Sequence, residues 1–329
     1  MRATIIIPTR GARGSLAATL KSVGDDGPHG GELEVVLVVD GGREAEPLED
    51  LGERVDRVLR LDRQGAAEAR NRAAEQARGR VLVFVDDDVT LEAGALEALV
   101  QRCEHEDVLA QPTIEQRARD ASSPYARWAA AVEAERQRDH PDPPYPWQFC
   151  VTQALAMRAE TLAQLGGFHS FAPLDGTGAG WEDVELAYRA SLRGVWLVRL
   201  PEARAVHWDY SLSAYALASR RFFEVSRTAA FLFAQRPEMA HHLPMYRDKL
   251  PLDRSADGVW LRIRKGLRRI ASSTGALALL ELLIGLGERI APIPGLLAPI
   301  YRWAIGAHIY RGLAAGLRQQ ASAARGPRT

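Results

Sequence analysis

The sequence predicts an α/β fold in which a mostly parallel sheet is flanked by helices, followed by a helical, membrane-associating C-terminal region. Three observations carry this expectation. Runs such as Val35-Val36-Leu37-Val38-Val39 and Val81-Leu82-Val83-Phe84-Val85 are apolar at every position, the pattern of strands covered on both faces. Such runs alternate with helix-like segments through the first half of the chain. The charge is also unevenly distributed: residues 251–329 hold 12 Lys/Arg against 4 Asp/Glu, while residues 1–250 hold 30 against 38, although the 329-residue chain has 42 of each. An acidic body precedes a basic tail.

The first strand spans residues 4–7 and begins directly after Met1-Arg2, with none of the charged and apolar regions of an export signal. It is followed by 16–23, then 33–39 and 55–61, then 66–77, 81–85 and 91–103, in alternation. From about 113 to 147 a polar, Arg-rich excursion ends in Asp142-Pro143-Pro144-Tyr145-Pro146-Trp147, whose prolines exclude regular structure; it reads as an acceptor-side lid or an insertion. Regular structure resumes at 149–157, with a helix over 159–165, a turn at Gly166-Gly167, and a glycine-rich loop over 175–180 that feeds a helix beginning at Trp181. A 47% hydrophobic content is enough for a large core and excludes disorder or a collagen-like repeat. Cys103 and Cys150 stand in apolar stretches and read as buried free thiols, which fits a reducing cytoplasm.

Open parallel sheets bind ligands at the carboxyl ends of their strands, and several strand ends here are acidic. One ends on Asp40, another on Asp86-Asp87-Asp88. Three adjacent carboxylates repel one another and are costly to bury, a cost that Mg²⁺ or Mn²⁺ would remove. The alternative is an Asp-rich N-cap for the helix over 91–103. Trp181-Glu182-Asp183, with Glu185 following, places acids behind Gly176, Gly178 and Gly180, where a carboxylate would serve as a general base. The alternative there is a first turn of acids favoured by the helix dipole. His207 closes a further strand-like stretch; a lone histidine is more often structural than a ligand, and it would add an imidazole if the aspartates hold a metal.

Together these residues resemble the inverting, nucleotide-sugar-dependent glycosyltransferases of family 2, which have the GT-A (Rossmann-like) fold. The likeness covers roughly residues 3–210 and rests on motifs in the family's order. Ile5-Ile6-Ile7-Pro8-Thr9-Arg10 resembles the opening strand and nucleotide-contacting turn, and Val38-Val39-Asp40-Gly41-Gly42 the second strand, whose aspartate contacts the base or ribose. Gly65-Ala66-Ala67-Glu68-Ala69-Arg70-Asn71 resembles the segment before the metal strand, and Asp86-Asp87-Asp88 the DxD motif. Leu165-Gly166-Gly167-Phe168 followed by Trp181-Glu182-Asp183 resembles the acceptor-side segment with the catalytic base, and Val206-His207 the late histidine of the metal site.

The resemblance implies a catalytic domain over 1–215, with its nucleotide-binding half at about 1–112 and its acceptor half at about 113–215, then a helical connector over 216–257. It implies Asp183 as the base, with Glu182 competing for that role. Pro8, Thr9, Arg10, Asp40, Arg70, Asp86, Asp87 and Trp181 would then bind substrate, and Asp86, Asp88 and His207 would hold Mn²⁺ or Mg²⁺. Arg70 reads equally well as positive charge near the phosphates or as a solvated helix residue. The implied donor is a nucleoside-diphosphate sugar, UDP favoured, and the acceptor a hydroxyl of a glycan or lipid-linked molecule. A sugar nucleotidyltransferase and a catalytically inactive membrane-attached scaffold are the alternatives.

The tail, 258–329, opens on a basic amphipathic helix. Trp260, Ile263, Leu267 and Ile270 share one face, while Arg262, Lys265 and Arg269 lie on another. The apolar run over 275–287 contains Glu281 and is shorter than the ~20 residues that span a bilayer. Pro292, Pro294 and Pro299 break the next stretch, and 301–317 is again amphipathic, with Tyr301, Trp303 and Tyr310 as interfacial aromatics. This predicts peripheral attachment to the inner face of the cell membrane; packing on the catalytic domain or a homo-oligomer interface is the alternative. Nucleic acid is not expected as a partner, because no recognition motif accompanies the charge.

Overall fold

A computed structural model describes residues 1–11, 15–24, 32–41, 55–138, 144–171 and 180–323, with backbone alone at 136–138. Gly42, the Asp142-Pro143 pair and residues 175–179 of the glycine-rich loop, Gly176 and Gly178 among them, lie outside the described residues. The chain forms two compact units. The first comprises Met1–Arg117, Arg136–Ser170 and Glu182–Trp208, and the second Ala118–Glu135, Phe171–Trp181 and Asp209–Thr329.

The first unit is built on an eight-stranded sheet: β1 (Ala3–Thr9), β2 (Leu33–Val39), β3 (Arg57–Arg60), β4 (Val81–Val85), β5 (Val89–Leu91), β6 (Leu109–Ala118), β7 (Ala154–Arg158) and β8 (Leu197–Asp209), in the order β3-β2-β1-β4-β7-β6-β8-β5. The β3-β2-β1-β4 half is parallel, but β7 runs antiparallel to β4, β6 to β7, and β5 to β8. The sheet is therefore mixed, where the sequence suggested mostly parallel. The reason is physical: uninterrupted apolar runs report coverage on both faces, and β7 is as buried as its parallel neighbours. Alternate residues feed two cores. Ile5, Ile7, Val35, Leu37, Val81 and Val83 meet α1 (Leu16–Gly24) and α3 (Ala95–His105). Ile6, Val36, Val38, Leu82 and Phe84 meet α2 (Ala66–Glu75), α5 (Ala159–Leu165) and α6 (Glu182–Ser191).

Three local expectations change. The segment 55–61, in a helix-like position of the alternation, contains strand β3. The stretch after Asp88 is not helical: β5 intervenes and α3 begins only at Ala95, so the aspartates do not cap it. Within 113–147 lie the end of β6 and a 15-residue helix, α4 (Pro124–Arg138). Pro124 occupies the start of that helix, where a missing N–H costs no bond, and Ser123 Oγ accepts from Ala126 N at 3.0 Å as a cap.

The second unit adds α7 (Tyr215–Gln235), α8 (Met239–His242), α9 (Val259–Ala271), α10 (Thr274–Ile290) and α11 (Pro294–Ala323) to α4. Helix α11 runs straight through Pro299, which the sequence placed in a broken stretch. The proline sits in an early turn, and extensive packing further along compensates for one lost backbone bond. That packing is against α7 at backbone distance: a Cβ at Gly312 would stand 2.1 Å from Phe223 O, and one at Gly316 would stand 2.2 Å from Arg227 O. Tyr301 is fully buried, not interfacial. Its ring meets Tyr125 and Trp128, each at 5.2 Å, and its hydroxyl donates to Glu288 Oε1 at 2.7 Å.

Lys265 also departs from expectation. It is buried, with Nζ 2.6 Å from Asp257 Oδ2, and neighbouring Arg268 is buried against Asp248 Oδ2 at 3.3 Å while donating to Trp303 O. Asp248 is further held by Lys249 Nζ at 2.6 Å and Arg264 Nε at 3.0 Å. Burial alone would raise its pKa, but these cations override that and hold it down at about 2. Among the described residues no single helix is long and apolar enough to cross a membrane; α9 and α10, bent by 76°, pass that test only as a pair, by length and composition.

This packing leads to two expected outcomes. Gly312→Val, whose side chain meets immovable backbone, should lower stability by about 2–3 kcal/mol in urea denaturation. Asp248→Asn should cost about 3–5 kcal/mol by leaving buried cations unpaired. Because the folded pKa lies below the unfolded ~3.9, Asp248 contributes fully above about pH 4 and its contribution fades as pH falls toward 2. A stability-versus-pH series should therefore show a shallower acid limb for the variant.

Candidate active site

The site forms in the first unit where β1, β2 and β4 end together. Strands β1 and β2 pair in register through Thr9↔Val39, and Asp40 N donates to Thr9 O at 2.8 Å. The Asp40 carboxylate is buried and accepts from Gln64 N at 2.6 Å and Gly65 N at 2.7 Å, which ties the end of β2 to the start of α2. Gly65 has φ +93°, a backbone conformation that suits glycine at this turn. Thr9 Oγ1 lies 2.6 Å from Asp87 Oδ2 and accepts from Gly11 N, so Asp87 braces the turn after β1. Pro8 is half-buried within β1, and Arg10 is exposed just past its end.

Arg70 on α2 is 3% exposed and so is not a solvated helix residue. Its Nη2 donates to Asp86 Oδ1 at 2.8 Å and its Nη1 to Glu182 Oε1 at 3.1 Å, while its Nε is buried without a hydrogen-bond partner. One guanidinium thus joins the end of β4 to the start of α6. Burial raises the Asp86 pKa, and nearby Asp88 adds to this while Arg70 opposes it.

Asp183, beside Glu182, is differently placed. It is only partly buried and accepts from Val184 N at 2.8 Å and Thr152 N at 3.4 Å. Desolvation first, and then the charge of Glu182, push its pKa up to about 7. Of the two carboxylates, Glu182 is committed to a cation and Asp183 is the more available to take a proton.

Asp88 and His207 meet at the third corner, with Nε2 3.3 Å from Asp88 Oδ1. The register that pairs Val89 with His207 brings them there, and Trp208 N donates to Asp88 O at 2.9 Å. His207 Nδ1 lies 2.6 Å from Gln116 Oε1, and Gln116 Nε2 in turn donates to Gln153 Oε1 at 2.7 Å. With its amide nitrogen so used, Gln116 presents its oxygen to the ring, so Nδ1 is the donor of that contact and Nε2 is the ring nitrogen that faces Asp88.

The structure thus brings Thr9, Asp40, Arg70, Asp86, Asp87, Asp88, Glu182, Asp183 and His207 to the strand ends of one unit. Trp181 belongs to the other unit: its indole donates to Val225 O at 2.8 Å and its ring lies 5.6 Å from Tyr246, with a backbone φ of +77° that is strained for so bulky a residue. Among the described residues no group of three or more acid, histidine or cysteine side chains is arranged as a ready-made cation site. Gln116, Gln153 and Thr152 were not singled out from sequence, and nothing in their local pattern marks them. Asn71 carried a signal in its pairing with the glycine turn: its side chain bonds both Phe168 N and Phe168 O, and a Cβ on Gly167 would stand 2.8 Å from its Oδ1.

Residues 4–163 match the model of glycosyl transferase family 2. No curated protein matches the chain significantly in sequence. Among solved structures, a mannosyltransferase from Pyrobaculum calidifontis, in complex with GDP-Man and Mn²⁺, is 19% identical with a TM-score of 0.55, covering 94% of this chain and 86% of that one. TarS (residues 1–349) of S. aureus is 17% identical with a TM-score of 0.46, covering 97% and 92%. Residues 4–163, which hold the buried arginine and the aspartates at the ends of β2 and β4, thus match glycosyl transferase family 2, and the chain has a GT-A-like fold.

Proposed function

We propose that this glycosyltransferase moves a sugar from a nucleoside-diphosphate sugar to an acceptor hydroxyl in one inverting displacement, with Asp183 as the general base. The observation that carries this reading is the division of labour between adjacent carboxylates: Glu182 is ion-paired to Arg70, while Asp183 has no cation bonded to it among the described residues and a pKa of about 7. A carboxylate of that basicity is half-ionised near neutrality and accepts a proton efficiently there. As the acceptor oxygen bonds to the anomeric carbon, Asp183 takes its proton, and the bond to the diphosphate oxygen breaks on the opposite face. Asp40 and Thr9 hold the backbone turns on which the nucleoside rests, and Arg70 supplies fixed positive charge beside the leaving group.

The donor set fits a hard divalent cation. Asp88 offers a carboxylate oxygen and His207 an Nε2 lone pair 3.3 Å away, with the other ring nitrogen oriented by Gln116, as metal-binding histidines usually are. Two protein donors are enough for Mg²⁺ or Mn²⁺, which keep waters and share substrate phosphates. When bound, such an ion neutralises the diphosphate as it leaves. The GDP-Man and Mn²⁺ of the Pyrobaculum structure support this choice of donor and ion. UDP remains the favoured nucleotide from the sequence, and a glycan or lipid-linked hydroxyl the acceptor.

Three measurements test the reading. Incubation with a panel of nucleotide sugars and Mn²⁺ should release nucleoside diphosphate with one sugar; no release with any of them defeats the proposal. Asp183→Asn should lower kcat about 10²–10⁴-fold with little change in donor KM. Since only the ionised base accepts a proton, wild-type kcat should rise through about pH 7, and the variant's residual rate should lack that rise. EDTA should abolish turnover and Mn²⁺ restore it, whereas Asp88→Ala should require far more metal for the same rate.

A further inference from the structure

The helix α9 is amphipathic in the reverse of the usual sense. In a helix packed on a water-soluble body the apolar stripe faces inward. Here Lys265 and Arg268 are the buried positions, paired with Asp257 and Asp248. Trp260, Ile263, Leu267 and Ile270, on the opposite side at about 100° per residue, face outward, with Trp260 83% exposed. The same exposure continues along α10, where Leu279, Leu282, Leu286 and Ile290 stand out while Leu277 and Ile284 point in. Singly exposed apolar residues are ordinary; a surface of this extent marks an interaction site.

We propose that the α9–α10 elbow is a bilayer-docking surface, which seats its outward apolar side chains in one leaflet of an anionic membrane. Four observations select lipid as the occupant. The buried cations of α9 are neutralised internally by Asp248 and Asp257, so the outward stripe is left dry of charge. Exposed Arg269, Arg289 and Arg302 lie on the same elements or the adjoining α11, in a tail with 12 basic and 4 acidic residues, which complements anionic headgroups. Trp260 supplies an exposed aromatic ring of the kind that favours the membrane–water boundary. The two helices are bent by 76° and neither alone is long and apolar enough to cross, and the proposal lays the elbow along the surface. The surface belongs wholly to the second unit, and the proposal is independent of the chemistry assigned to the first.

Flotation of the full chain with phosphatidylglycerol/phosphatidylcholine vesicles tests it. The wild type should float, and Leu267→Glu/Ile270→Glu/Leu282→Glu/Leu286→Glu should stay in the vesicle-free fraction while keeping its circular dichroism spectrum, since the changed positions face solvent. Arg269→Gln and Arg302→Gln should each weaken partition to anionic vesicles by about fivefold, the equivalent of one basic residue near a charged leaflet. A wild type that does not float overturns the proposal. So does a wild-type dimer in light scattering that the four-fold variant dissolves while vesicles bind neither, since the face would then pair two copies. Nucleotide-sugar turnover by the non-floating variant on a soluble acceptor would keep the catalytic reading separate from this one.

Discussion

Arg70 is the constraint on which the active-site arrangement depends. A guanidinium that is 3% exposed is tolerated only because carboxylates meet it on two sides, Asp86 from the end of β4 and Glu182 from the start of α6. Those two elements are far apart in sequence, so the arginine sets the spacing between the acid-rich strand end and the helix that carries Asp183. Burial first, and then the charge of Glu182, make the proton of neighbouring Asp183 harder to lose, and the Arg70 cation opposes them. The Nε of the same group is buried without a hydrogen-bond partner.

Much of this was legible in the sequence, for reasons that differ by residue. The strands over 33–39 and 81–85 announced themselves because burial on both faces removes nearly every polar side chain, and Asp40 and Asp86 were found because they end those runs. Strand direction was not legible: β7 is buried like its parallel neighbours and runs the other way. Strand β3 is short and alternates half-buried with exposed positions, so its apolar signal was weak. Gln116 and Gln153 act through contacts made across the sheet, 37 residues apart in sequence. No local pattern encodes such a contact.

In the tail the sequence located a helix and its two faces, and the departure is Lys265, which is buried. Periodicity located the apolar stripe of α9 and the charges opposite it, but not which side would pack. Asp248 and Asp257 bear on that, because Arg268 and Lys265 of α9 are turned inward to meet these two buried carboxylates. In helix α11 Gly312 and Gly316 approach the α7 backbone closely, and Tyr301 is buried against Tyr125 and Trp128.

The ring of His207 is oriented by Gln116, and through it by Gln153, side chains that neither gain nor lose a proton in water. A carboxylate in the same place would loosen its grip on the ring as the solution acidified. An amide does not, so the acceptor that holds Nδ1 keeps its charge state as the solution changes. In the mechanism proposed above, holding the ring and taking the acceptor's proton thus fall to different residues at the strand ends.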